Sequence, residues 1–194
     1  MLRHKEIIQG RLKREFNLDI VTSLPSVVDK LILSNGEEIS IENPASYPDP
    51  GQITTAQEPF VKANIFTPTA YIGNIMDLCQ DRRGVYIDTK YLDADRVELH
   101  YELPLNEIVY DFFDALKSRT RGYASLDYQE SGEQSADLVK VDILLNGDRV
   151  DAFSAIVHRD GAYNYGQRMT KRLKELIPRQ QFEIPVQAAV GARV

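Results

Sequence analysis

Residues 60–84 read FVKANIFTPTAYIGNIMDLCQDRRG, and this stretch decides the fold. Phe60–Phe66 reads as a strand. Thr67-Pro68 then offers a helix start, with an N-cap hydroxyl and a proline whose missing N–H costs nothing at the first helical position. Ile72, Ile75, Met76 and Cys79 follow at i, i+3, i+4 and i+7, the spacing that lines one face of a helix. Arg82-Arg83-Gly84 closes it: cations suit the negative end of the helix dipole, and Gly84 suits the left-handed cap.

Downstream, Val85–Tyr91 reads as a strand. Val97, Leu99, Tyr101 and Leu103 alternate with Arg96, Glu98, His100 and Glu102, as in a half-buried strand. Leu105, Ile108, Val109, Phe112 and Leu116 form a second helical face that ends at Arg119–Gly122, and Tyr123–Tyr128 reads as a strand again. The order β-α-β-β-α-β is the split βαβ pattern of ferredoxin-like folds, so the expected class is α+β with a ferredoxin-like unit in the middle. Its two helices are expected to share one sheet face and run in similar directions, which would bring both helix ends to one rim.

Outside that unit, Ile8, Leu12 and Phe16 recur every four residues among Lys5, Arg11, Lys13, Arg14 and Glu15, an amphipathic helix. Beginning almost at residue one, it reads as the start of a truncated chain. Strands are expected over Leu18–Leu24 and Ser26–Leu33, a hairpin turn at Asn35-Gly36, and a loop or short helix over Asn43–Gly51. After a polar break at Ser131–Gln134, Val139, Val141, Ile143 and Leu145 alternate into the Asn146-Gly147 hairpin and Arg149–Val157. Ala162, Tyr165, Met169, Leu173 and Leu176 make a further helix stopped by Pro178. The last strand runs through Phe182, Ile184, Val186, Ala188 and Val190, confined by Pro185 to an edge. Domains are expected at 1–55, 56–132 and 133–194, the first and last of them partial.

The 194 residues are 43% hydrophobic and 27% charged, ordinary for a globular chain. No apolar run approaches the ~20 residues of a membrane span, the N-terminus lacks signal-peptide layout, and the single cysteine allows no internal disulfide. A cytoplasmic setting is expected. The net charge of −6 argues against a dedicated nucleic-acid binder, so RNA binding would have to rest on local basic patches.

No glycine precedes a lysine and no G-x-G-x-x-G occurs, which excludes the common phosphate-cradling loops. His158-Arg159-Asp160 imitates a kinase catalytic tripeptide, but Asn164 comes one residue too early and no Asp-Phe-Gly exists. Cys79 falls on an apolar helix face, the place of a small hydrophobe. His4, His100 and His158 lack metal-ligand spacing. The carboxylate pairs Asp111/Asp114 and Asp148/Asp151 suit a solvated face, and the ten tyrosines are spaced for core and sheet packing more than for a stacking platform.

The basic clusters carry more. Lys117, Arg119 and Arg121 sit at a helix C-terminus before Gly122-Tyr123; the helix dipole accounts for one or two cations, and a phosphate-gripping loop would account for three. Arg82 and Arg83 end the other helix. Arg168, Lys171, Arg172 and Lys174 lie on the last helix, as a solvated face or a further contact surface.

Three segments resemble the fifth domain of elongation factor G and its relatives: Glu58-Pro59-Phe60-Val61, Tyr71-Ile72-Gly73 and Arg82-Arg83-Gly84. So does Leu116–Ser125, which is similar to that domain's characteristic loop. Glu6-Ile7-Ile8 through Lys13-Arg14-Glu15-Phe16 looks like the first helix of the third domain. The direct passage from third to fifth domain, and the segments Asp137–Gly147, Val157–Asp160 and Leu176–Phe182, are similar to the LepA family of translational GTPases. The resemblance covers essentially the whole chain and fits the relative BipA poorly. It implies a C-terminal part of such a factor, without its GTPase and second domains, the first strand of the third domain or its basic tail. The whole protein would hydrolyse GTP with Mg on ribosomes and favour reverse translocation. The chain itself would bind and not catalyse, hold no cofactor or metal, and avoid DNA. Arg82, Arg83, Lys117, Arg119 and Arg121 would meet large-subunit rRNA near the stalk base. His158, Arg159, Lys171, Arg172 and Lys174 would meet tRNA. The resemblance also implies a cytoplasmic, ribosome-associated protein that can sit peripherally at the inner face of the cell membrane.

Overall fold

The computed structural model describes residues 11–16, 27–109, 111–177, 184–191 and 193. The strand expected over Leu18–Leu24 and the Pro178 helix stop lie outside them. Residues 11–16 are helical. The fold is mixed α+β with two antiparallel sheets, and the chain divides into two compact units, one built on Val61–Glu130 and the other on Val27–Phe60 and Ser131–Val194.

The elements are β1 (Asp29–Leu33), β2 (Glu38–Ile41), β3 (Ile53–Pro68), α1 (Ile72–Asp81), β4 (Val85–Tyr91), β5 (Arg96–Pro104), α2 (Leu105–Val109), α3 (Phe112–Arg119), β6 (Ser125–Ser135), β7 (Leu138–Leu145), β8 (Asp148–Arg149), β9 (Ala155–His158), α4 (Arg159–Leu176) and β10 (Val186–Val190). β3 runs unbroken through the expected boundary at 55/56, and β6 through that at 132/133 and through the expected polar break.

β3 changes which side it buries. Ala56, Glu58 and Phe60 are buried at even positions, then Val61, Ala63, Ile65 and Thr67 at odd ones. Side chains alternate along a strand, so two consecutive buried residues mark a switch of face. The switch at Phe60-Val61 falls where the chain passes from one unit to the other.

In the Val61–Glu130 unit the strand order is β6-β3-β5-β4. Val97, Leu99, Tyr101 and Leu103 are buried as their alternation predicts, and they share one core with Ile75, Leu78, Cys79, Ile108, Phe112 and Leu116. Helix α1 begins at Ile72, not at Thr67-Pro68: β3 extends through Pro68, and a 3-10 turn over Thr69–Tyr71 intervenes. Thr67 is buried as a strand residue, and its hydroxyl donates to the Pro68 carbonyl (3.4 Å) five residues before the helix begins. The second helical face is divided into α2 and α3.

In the other unit, β1 pairs with β2 and with the first part of β3. β7 pairs with β10 on one side and with β8 and β9 on the other. Among the described residues β10 pairs on one side alone, and Pro185 falls just before it, where a missing N–H breaks no ladder bond. Helix α4 covers this sheet through Ala162, Tyr165, Met169 and Leu173. It comes so close at Gly166 that a Cβ there would lie 2.7 Å from the Cβ of Ala188. The Asn146-Gly147 hairpin forms with positive φ at both residues, +54° and +87°. The expected strand Arg149–Val157 breaks into β8, a 3-10 turn over Asp151–Phe153, and β9.

Candidate nucleic-acid interface

Two helix ends carry the cations singled out from the sequence. At the end of α1, the Arg83 N–H donates to the Gln80 carbonyl (3.2 Å) and the Gly84 N–H to that of Cys79 (2.7 Å). This pair of bonds closes a helix around one left-handed residue. That residue is Arg83, at φ +58°, rather than Gly84. Gly84 is needed for space: a Cβ on it would sit 2.7 Å from both the Cys79 carbonyl oxygen and Leu103 Cδ2.

Helix α3 ends in a related way. The Gly122 N–H donates to the Lys117 carbonyl at 2.7 Å, with Arg121 at φ +52° and Gly122 at +84°. The left-handed conformation costs a residue with a Cβ about 1–2 kcal/mol, so both arginines occupy positions that glycine fills without strain.

The turn after α3 is tied on both sides. The buried Thr120 hydroxyl donates to the Leu116 carbonyl (2.7 Å) and accepts from the Ala124 N–H (3.1 Å). The Lys117 ammonium donates to the carbonyls of Gly122 (3.2 Å) and Ala124 (2.6 Å) and lies 5.5 Å from the Phe113 ring centroid. The rigid turn presents Arg121 and Tyr123 outward. Tyr123 is 68% exposed and stacks on Tyr71, with centroids 6.1 Å apart and planes 19° from parallel. Tyr71 is half-buried against the core, as the sequence reading of the tyrosines as packing residues expects, whereas the exposed Tyr123 departs from it.

Four of the five rRNA candidates have partners within the protein. Arg82 meets Asp111 at 2.7 Å and Glu107 at 3.5 Å, and Arg83 meets Glu107 at 3.2 Å. Lys117 is held as just described, and Arg119 meets Asp81 at 3.1 Å. Arg121 is exposed, with no ion pair or side-chain hydrogen bond among the described residues. These partners were not legible beforehand, because Asp81, Glu107 and Asp111 come into reach only through helix packing.

The two helices run in opposite senses, not in similar ones. Asn74 in the first turn of α1 donates to the Arg119 carbonyl at the end of α3 (3.0 Å), while Arg82 beyond the end of α1 reaches Asp111 at the N-cap of α3. The antiparallel β4–β5 hairpin reverses the chain before the second helix. The backbone ends carrying Arg83 and Arg121 therefore do not share a rim, although the Arg119 side chain reaches Asp81 at the end of α1.

In the other unit, His158 is the N-cap of α4: its Nδ1 accepts from the Asp160 N–H at 3.4 Å and lies 3.5 Å from that residue's carboxylate. The Arg159 guanidinium meets Asp137 at 2.5 Å and holds its carboxyl below the usual range. Lys171, Arg172 and Lys174 are exposed on the outer side of α4 without a partner among the described residues. They begin about 18 Å along the helix from Arg159. The weaker candidates thus form two groups, one tied down and one open.

Cys79 is buried, and burial pushes its thiol up to about 12. His100 sits between Glu98 (3.0 Å from Nε2) and Asp88, and these carboxylates, Glu98 first, raise its imidazole above the ordinary range. Among the described residues no cluster of His, Cys, Asp and Glu could hold a metal ion, and no helix is long and apolar enough to cross a membrane.

Two family models match. One, for the elongation factor G C-terminus, covers residues 55–144; the other, for the C-terminus of the GTP-binding protein LepA, covers 145–194. Similar proteins include elongation factor 4 of Cutibacterium acnes (61% identical), Acetivibrio thermocellus (60%) and Bacillus cytotoxicus (58%), each matched over 100% of this chain and 32% of its own length. The chain thus spans about a third of the length of these relatives. A solved structure from Thermus thermophilus aligns with a TM-score of 0.40 and 22% identity, over 42% of this chain and 12% of that one.

Proposed function

Because the chain corresponds over its whole length to the C-terminal part of the LepA, or elongation factor 4, family, we propose that it is the ribosome-docking part of a translational GTPase. The Val61–Glu130 unit is read as the ferredoxin-like fifth domain, a split βαβ arrangement whose strand order β6-β3-β5-β4 supports that reading. Its partner is large-subunit rRNA, met through the turn after α3. Lys171, Arg172 and Lys174 form a second surface, directed at tRNA. GTP and Mg belong to the GTPase domain of the whole protein, whose role is to act on elongating or stalled ribosomes and favour reverse translocation. This chain contributes shape and charge, with no bond chemistry. The setting is cytoplasmic, and the whole protein's peripheral membrane association remains part of the same proposal.

One observation carries the reading. Arg121 holds a strained conformation in a turn that Thr120 and Lys117 rigidify, yet its charge has no partner among the described residues. The cap accounts for a left-handed residue there but not for an arginine in place of glycine, and that choice points to work outside the fold. Arg83, in the same backbone conformation, has its charge met by Glu107. A single phosphate contact at Arg121 should appear in the salt dependence of binding. Co-sedimentation of the chain with ribosomes at low and moderate salt, beside Arg121→Glu, tests this. Loss of pelleting in the variant supports the reading; equal pelleting of the two proteins removes Arg121 from the interface.

The rival reading is a protein-interaction module without RNA binding. It draws on β4, an edge strand that exposes Val85, Tyr86, Ile87 and Tyr91. An apolar interface of that kind would hold as salt rises, whereas phosphate contacts would not.

A further inference from the structure

We propose that Tyr123 is a stacking platform for one unpaired RNA base. This rests on the RNA reading above and deepens it by naming what the turn after α3 recognises. A lone exposed tyrosine on a mobile loop would be a poor platform, since ordering the ring would offset what stacking provides. Tyr123 is already ordered. Its neighbours Gly122 and Ala124 are both held through their carbonyls by Lys117, Thr120 bonds the Ala124 N–H, and Tyr71 backs the ring in a near-parallel stack. The ring is nevertheless 68% exposed, and a Cβ added at Gly122 or at Gly73 would meet nothing within 4 Å, so the surroundings of the pair are open.

The chemistry of the surroundings selects the ligand. Arg121 stands two residues away with its charge unmatched among the described residues, and the first turn of α1, next to Tyr71, holds no acidic residue. An aromatic face with a neighbouring guanidinium suits a base together with its phosphate. A base paired within a helix has no free face to offer, so the site takes an unpaired nucleotide from a loop, bulge or single strand.

The test uses the 194-residue chain and two probes: a single-stranded RNA octamer carrying one 2-aminopurine, and the same octamer annealed to its complement. Binding is titrated at several salt concentrations with the chain and with Tyr123→Ala, Tyr123→Phe and Arg121→Ala; melting curves check that each variant folds. The expected result is single-strand binding that weakens about tenfold in Tyr123→Ala, returns in Tyr123→Phe, and keeps its salt slope in both. Binding of the annealed octamer should be indifferent to Tyr123. If Tyr123→Ala binds the single strand as the parent chain does while Arg121→Ala binds it more weakly, the stacking platform is overturned and the RNA reading survives. If the parent chain binds neither probe at low salt, both fall.

Discussion

The ammonium of Lys117 donates to the carbonyl of Ala124 at 2.6 Å, across the turn that carries Arg121 and Tyr123. A residue that sequence pattern offers as a phosphate ligand is thereby a brace. Lys117→Met should cost about 1 kcal/mol, the value of an ordinary hydrogen bond, because solvent at the half-buried site screens the charge, read as a lower urea midpoint. It should weaken ribosome binding less than Arg121→Glu does. A variant reversing Lys117, Arg119 and Arg121 together would mix a fold defect with a binding defect, so the single change at Arg121 is the cleaner probe.

Arg121→Gly separates strain from charge. Glycine relieves the left-handed cost at φ +52°, partly offset by its greater freedom in the unfolded chain, so the variant should be as stable as the parent or more stable by about 0.5 kcal/mol. Ribosome binding should nonetheless weaken, with the salt slope reduced by about one unit. A variant both less stable and equally bound would count against the role given to this residue.

Gly84→Ala should destabilise the protein by about 2 kcal/mol, because the new methyl would press on the Cys79 carbonyl, a backbone atom that cannot swing aside. Urea unfolding reads this directly.

His100 predicts a pH dependence. Its imidazole gains partners in Glu98 and Asp88, so its folded pKa lies above the unfolded value near 6.5. The stabilisation is fully present below that unfolded value and is lost as pH rises through the folded one. Melting temperatures followed from about pH 6 to about pH 8.5 should show the parent losing ground relative to His100→Gln as the pH climbs. Parallel curves for the two proteins would refute the assignment.

Cys79, with its thiol pushed up to about 12 by burial, should resist a disulfide reagent in native buffer and react after denaturation. Rapid native labelling would reopen a nucleophilic role.

Patterns of short period were legible. The alternation from Val97 to Leu103, the helical spacing around Ile75 and Cys79, and the Asn146-Gly147 turn all came out of local rules that tertiary contacts left alone. Failures occurred where two local rules competed. Thr67-Pro68 has the chemistry of a helix start, but burial of Thr67 in the sheet kept it a strand. Arg83-Gly84 has the chemistry of a glycine cap, but the crowding against Leu103 put glycine at the tight spot and arginine at the left-handed one. Of the candidate interface, the cations could be found by counting charges. The Tyr71–Tyr123 stack could not: 52 positions separate the two in sequence, and only the opposite course of α1 and α3 brings them together.

The change of face at Phe60-Val61 bears on how this family's sequence can vary in length. A strand with one buried side tolerates a slip only by turning that side outward. In β3 the parity before the switch serves one core and the parity after it another. Loss or gain of a single codon on either side would expel one set of residues, while a substitution would leave both in phase. The segment should therefore change by replacement and hold a constant number of residues, with insertions accumulating instead in turns such as Asp93–Asp95.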